Sequence, residues 1–264
     1  MPKMRNRWFQ IPLFHTPNTR YEKKVTWLEL FYDLIFVAAF IQLGNGLSER
    51  VSLSGFASFA GIFLTLWVVW TGFTTFSNRF TVDDFLHRIL VICQMFTVGG
   101  MAITAPLVLK GEITYFAVTY AIAQGLVSSF YFRAYFQQKI GKKFSFYWGS
   151  VFAIGSILWL SSILFQPPIT FFVWGIATIT ILLAPFNFRS RHLESHYPAD
   201  QEHLSERFGL LTIIVLGESF VKVLSSLSGQ ASVFTTFFQA SMTLLLTCCI
   251  WWIYFDDVAG SELK

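Results

Sequence analysis

Hydrophobic positions fall into eight long runs separated by short polar breaks, near residues 27–47, 55–77, 87–109, 112–135, 146–165, 168–188, 204–226 and 233–255. Each run supplies about 20 mostly apolar residues, the length a helix needs to cross the hydrocarbon of a bilayer while satisfying its own backbone. Two breaks, Lys110-Gly111-Glu112 and Gln166-Pro167-Pro168, are very short and turn over-long runs into helical hairpins. The pattern predicts an all-α fold, a polytopic transmembrane helical bundle of about eight spans. A segment 1–26 precedes the transmembrane domain 27–255, and a tail 256–264 follows it. The longest polar stretch within the domain, Arg189 to Gln201, reads as a loop. Small residues such as Gly99-Gly100 with Ala102, and Gly209 with Gly217, are expected at close helix contacts.

Composition strengthens the membrane reading. Of 264 residues, 54% are hydrophobic and 13% charged, against roughly one in four charged in a soluble domain. The 31 Phe, nine Trp and nine Tyr make the apolar surface bulky and rigid. Cys93, Cys248 and Cys249 all lie in hydrophobic runs without metal or disulfide spacing, and read as small apolar filler.

The net charge of +4 does not point to nucleic acid, because the cations sit in short segments between spans. Sixteen Lys and Arg fall on one side of the predicted bundle: six before residue 27, then Arg79, Arg88, Arg133, Lys139, Lys142, Lys143, Arg189, Arg191, Arg207 and Lys264. The other side has Arg50 and Lys110, and Lys222 lies within a span. By the positive-inside rule both termini are expected in the cytoplasm, the N-in/C-in arrangement. The basic N-terminal segment lacks the short apolar run and cleavage site of a signal peptide, so the first hydrophobic helix is expected to be retained.

Charges inside the spans are the informative residues, because each costs roughly 2.5–3.5 kcal/mol at a lipid-facing helix centre. The first span reads TWLELFYDLIFVAAF and puts Glu29 and Asp33 one turn apart on one face. Two like charges this close call for a proton or for a cation from another helix. Glu29 also suits a helix N-terminus on dipole grounds alone. In the seventh span, HLSERFGLLTIIVLGESFVKVL, Arg207, Glu218 and Lys222 share one face, and Glu218 and Lys222 are spaced for an i, i+4 ion pair. Arg207 is expected to reach Asp33 or Glu29. Glu29-Leu30-Phe31-Tyr32-Asp33-Leu34 also aligns with Glu206-Arg207-Phe208-Gly209-Leu210-Leu211, each followed by a Trp-bearing span and an acidic pair, Asp83-Asp84 and Asp256-Asp257, read as turns. This suggests a parallel repeat.

The blocks Leu28-Glu29-Leu30-Phe31-Tyr32-Asp33-Leu34-Ile35-Phe36-Val37, His203-Leu204-Ser205-Glu206-Arg207-Phe208-Gly209-Leu210, Leu216-Gly217-Glu218-Ser219 and Trp251-Trp252-Ile253-Tyr254-Phe255-Asp256 resemble the bacterial low temperature requirement protein A family. The resemblance implies a multi-spanning bacterial membrane protein associated with growth at low temperature, and brings no established reaction. Members usually continue beyond the last block, which implies that this chain is a short or truncated one.

Other chemistry has thin support. His192, His196 and His203 are weak metal candidates, since no cysteine or second cluster completes a tetrahedral set. No HExxH, GxSxG or phosphate loop occurs, so no enzyme activity and no cofactor are expected. The leading expectation is a proton- or cation-linked transporter or channel of the bacterial inner membrane, with Glu29, Asp33, Glu206, Arg207, Glu218, Lys222 and Asp256 as its polar route or ion-pair network. The alternative is a noncatalytic stress or interaction protein whose buried charges serve helix assembly. Expected partners are the lipid bilayer and protons or small cations; homo-oligomerisation is left open.

Overall fold

Helical hydrogen bonding takes up nearly all of the backbone, as lipid requires. The computed structural model describes residues 8–14, 23–48, 52–108, 110–227 and 233–262. Lys3, Arg5, Arg7, Arg20, Arg50 and Lys264, used in the charge count, lie outside the described residues, as does the side chain of Asp257. The elements run β1 (Leu13–Phe14), α1 (Trp27–Ser48), α2 (Leu53–Arg79), β2 (Phe80–Thr81), α3 (Phe85–Val108), α4 (Thr114–Gln137), α5 (Lys142–Ser161), α6 (Ile169–Leu183), α7 (Phe188–His196), α8 (Gln201–Leu227) and α9 (Val233–Glu262). The chain divides into two units, Met1–Leu204 and Ser205–Lys264.

An all-α polytopic bundle is what the hydrophobic runs require, but the count differs. Among the described residues seven helices are both long and apolar enough to cross a bilayer, against about eight expected. The helix that falls short is α4, although at 24 residues it matches α3 in length. It packs along α3 and α5 and touches α2, and half of its residues are buried. A helix enclosed by protein meets little lipid, so it carries Gln124, Ser128 and Arg133 without the hydropathy of its neighbours.

Four other expectations change. The 189–201 stretch is not all loop: Asn187 caps α7, its side chain accepting from Arg189 N at 3.2 Å, and the helix ends before Pro198. Asp256 does not mark a turn, because α9 continues to Glu262. Cys93, Cys248 and Cys249 are exposed on helix surfaces rather than filling the interior. Of the glycines expected at contacts, Gly99 and Gly217 face open space. The close approaches are at Gly72, where an added Cβ would lie 2.4 Å from Phe152, and Gly155, where it would lie 2.3 Å from Gln124 Oε1. In the second unit, Gly209 of α8 lets Phe255 of α9 in, with a Cβ there 3.3 Å from its ring.

Residues 8–14 form a strap across one end of the first unit. Leu13 and Phe14 pair antiparallel with Thr81 and Phe80. Phe14 packs edge-on against Phe80 and Tyr197, each at 5.2 Å. Gly141, at φ 76, leaves room that a Cβ would take from the Phe14 ring. Beneath the strap, Asp84 caps α3 by accepting from His87 N at 2.8 Å and also accepts from Gln10 N at 2.6 Å. Arg133 of α4 donates two bonds to the same carboxylate, Nη2 to Oδ2 at 2.5 Å and Nη1 to Oδ1 at 3.2 Å, and a third to Gln10 O at 3.0 Å.

Burial pushes the Asp84 carboxyl up, but the Arg133 bonds and the backbone N–H groups of Gln10 and His87 outweigh it and hold it below the usual carboxylate range. A depressed folded pKa contributes stability above the unfolded value of about 3.9, lost as pH falls through the folded value. Thermal denaturation in detergent should therefore show no Asp84-linked loss between neutral pH and about pH 5, then a decline under stronger acid. Arg133→Ala should cost about 3–5 kcal/mol at neutral pH by stranding a buried carboxylate, and should weaken the acid dependence.

Candidate functional site

The start of α1 is a capping box. Thr26 N and Oγ1 donate to Glu29 Oε2 at 2.8 and 2.9 Å, and Glu29 N donates back to Thr26 Oγ1 at 3.3 Å. Glu29 is thus held on the inward face of the helix and is buried. One turn later, about 6 Å along the axis, Asp33 is completely enclosed and accepts from Trp70 Nε1 of α2 at 2.7 Å. Tyr32 packs on Phe36 and Phe73 beside it, at 5.0 and 4.3 Å.

A second polar group closes on Glu29 from the end of α2. Lys23 Nζ donates to Ser77 O, to Phe80 O at 2.9 Å and to Asn78 O at 3.4 Å, satisfying carbonyls that the helix terminus leaves open. The Asn78 amide then clamps the residue before α8, donating to Asp200 O at 2.8 Å and accepting from Asp200 N at 3.0 Å. These two bonds fix which way the amide faces. Asn78 Nδ2 also lies 3.3 Å from His203 Nδ1, and an amide nitrogen only donates. Nδ1 therefore accepts, the ring proton sits on Nε2, and Nε2 faces Glu29 Oε1 at 3.7 Å.

A cavity of about 550 Å³ opens on this group at the ends of α1, α2 and α3, lined among others by Lys23, Glu29, Phe73, Asp83, His87 and Arg88. His87 is buried beside the rings of Phe73, Phe76 and Phe130. Asp83 and Arg88 form an exposed pair at 2.8 Å. The arrangement is graded: an open polar cavity, then a carboxylate facing an imidazole, then an enclosed carboxylate one turn deeper.

The structure thus brings together Glu29, Asp33 and His203 of the expected residues. His203 was expected as a metal candidate and stands instead between an amide and a carboxylate. His192 and His196 stack on α7 with ring centres 4.4 Å apart, both exposed. Among the described residues no three His, Cys, Asp or Glu side chains gather as metal ligands. Glu206, Glu218 and Asp256 are exposed on the second unit's helices, Lys222 is half-buried and Arg207 is buried. The aligned pair Glu29 and Glu206 accordingly differ, one buried and the other exposed. Sequence reasoning missed Trp70, Asn78, Asp84 and Arg133. Asp84 had a legible signal, an acidic residue directly before an apolar helical run.

The sequence model of the family described as Bacterial low temperature requirement A protein (LtrA) matches residues 24–264. An uncharacterized protein of Rhizobium meliloti (strain 1021) is 31% identical over 243 residues, covering 89% of this chain. The chain spans 59% of that relative's length. No solved structure matches.

Trp70→Phe removes the N–H donated to Asp33 and also shrinks a fully buried ring, so it should lower stability by at least about 1–3 kcal/mol, the cost of a stranded acceptor, with a cavity cost added. In the Trp70→Phe background, Asp33→Leu, which removes the acceptor altogether, should cost less than it does alone. A double-mutant cycle by thermal denaturation measures the difference, and strict additivity would show that the bond contributes nothing.

Proposed function

The chain belongs to the bacterial low temperature requirement A protein family, and from that premise we propose that it carries protons or small cations across the bacterial inner membrane, with Asp33 as the carrier. The observation that supports this reading is an enclosed carboxylate within a membrane-spanning helix, one turn beyond a Glu29–His203 contact that borders an open cavity. Ionisable groups at such depth are costly and typically mark ion pathways. His203 Nε2 faces Glu29 Oε1 at 3.7 Å, and this pair is the step by which a proton from the cavity side would approach Asp33. On α8, Glu218 and Lys222 supply a second charged group for the same role. The proposal makes the protein a noncatalytic carrier, with no nucleic acid among its partners; with α4 crossing alongside the seven apolar helices, the preponderance of cations on one side of the eight runs supports cytoplasmic termini.

A second reading has one observation in its favour. The Thr26–Glu29 capping box gives Glu29 a structural task independent of any transported ion. In that reading the buried charges serve only helix assembly.

Reconstitution into liposomes containing a pH-sensitive dye separates the two. With an imposed pH gradient, the wild-type chain should dissipate it, and Asp33→Asn should slow dissipation by at least about tenfold, the effect of a barrier raised by about 1.4 kcal/mol. Its thermal midpoint should change little, because an amide still accepts from Trp70. Absence of wild-type flux, together with unfolding of Asp33→Asn and Glu218→Gln, would establish the assembly role instead.

A further inference from the structure

A second cavity, of about 340 Å³, lies between α2 and α6 in the half of the first unit opposite the strap, reaching from the end of α3 and the start of α4 inward to Thr65 and Thr178. That volume is within the roughly 300–1,000 Å³ of small-molecule sites. Phe116, Phe171 and Trp174 form aromatic walls, and among the described residues no charged side chain lines it. Trp174 is held in place by stacking on Trp159 at 4.5 Å and by its N–H donated to Ser162 Oγ at 2.8 Å.

Two threonines line the cavity from opposite helices. Thr65 gives its proton to Ile62 O at 2.6 Å. Thr178 is buried, and its hydroxyl has no hydrogen-bond partner. Helical threonines usually bond a carbonyl one turn back. Thr180, two residues on, does so to Ile176 O at 2.7 Å. Rotation about χ1, which has two favoured states for Thr in a helix, is the movement by which the Thr178 hydroxyl would reach a group held in the cavity.

Depth decides what such a donor meets. Thr178 is nine residues into α6 and Thr65 twelve into α2. At 1.5 Å per residue these positions lie about 14 and 18 Å from the helix starts, near the middle of a hydrocarbon layer about 30 Å thick. A plain acyl chain offers a hydroxyl nothing. The ester carbonyls of a phospholipid stay near the headgroups, and a charged ligand would be stranded without a counter-charge. The occupant that satisfies all three conditions is an uncharged lipid with a flat ring and a carbonyl oxygen.

We propose that the α2–α6 cavity binds a neutral quinone-type lipid, its ring between the aromatic walls and one carbonyl accepting from Thr178. Gly61 and Gly175 make the proposal testable, since a Cβ added at either meets nothing within 4 Å. Because both glycines line the cavity, a side chain built on that Cβ takes up cavity space. The purified chain in lipid nanodiscs is titrated with decylubiquinone, and tryptophan fluorescence is read. The wild type should show saturable quenching. Gly175→Leu and Gly61→Leu should abolish saturation while retaining the wild-type melting profile, and Thr178→Val should weaken binding by about three- to tenfold, the value of one hydrogen bond. Saturable quenching unchanged in Gly175→Leu overturns the site. Displacement of the quinone by decane, with Thr178→Val binding as the wild type does, overturns the ligand class in favour of an acyl chain.

Discussion

The hydrogen bond from Trp70 to Asp33 is the contact on which the first unit's interior depends. An acidic side chain inside a span is tolerated only where protein supplies what water would have supplied, and the indole N–H does so from α2 at 2.7 Å. The bond sets the register of α1 against α2, and the aromatic neighbours follow. Tyr32 meets Phe73, and Phe73 in turn packs on Phe130 at 5.2 Å, which carries the order from α1 through α2 to α4. Most of that interior is apolar, so directionality comes from the few polar groups.

The same requirement, applied at the strap end, produces two ionic groups with different character. Asp84 receives donors from the strap, its own helix and α4, and its short two-pronged contact with Arg133 leaves little freedom. Such a pair joins elements and is costly to break. Glu29 is held through one oxygen by Thr26, while the other faces His203 at a distance longer than a hydrogen bond. Its neighbourhood borders a cavity rather than being sealed. A rigid ion pair and a looser carboxylate–imidazole contact thus sit at the same end of the bundle. The second is the one that the proposed proton exchange uses.

How much of this was legible follows from which contacts are local in sequence. Hydrophobic length reveals each helix separately, and the i, i+4 spacing puts Glu29 and Asp33 on one face without reference to any other element. Failures occur where a helix's environment is set by its neighbours. The polar residues of α4 are explained by α3 and α5 enclosing it, which its own composition does not reveal. Arg133 read as one more cytoplasmic cation because its partner lies on a different helix, 49 positions away. Trp70 and Asn78 gave no signal because an aromatic and an amide are unremarkable until a carboxylate and an imidazole are placed against them. His203 stood out in sequence as a histidine near other histidines and as the first residue of a family block, whereas its neighbours in space include Asn78 and Glu29.

The shape of α1 beyond Asp33 constrains any mechanism built on these residues. From Leu34 to Ile41 the helix carries only apolar side chains, and the next polar residue is Gln42. That gap is about 13 Å along the axis, and Phe36, Val37 and Ala39 within it are buried. A proton at Asp33 has no titratable successor on its own helix, so a fixed chain of groups does not cross the first unit by this route. Under the proposed carrier role, passage outward requires water admitted transiently along the apolar stretch, or a rearrangement that exposes Asp33 to the other side. In either case, under that role, a step that turns Asp33 outward must give up the Trp70 N–H, so this bond is one that the carrier cycle has to break.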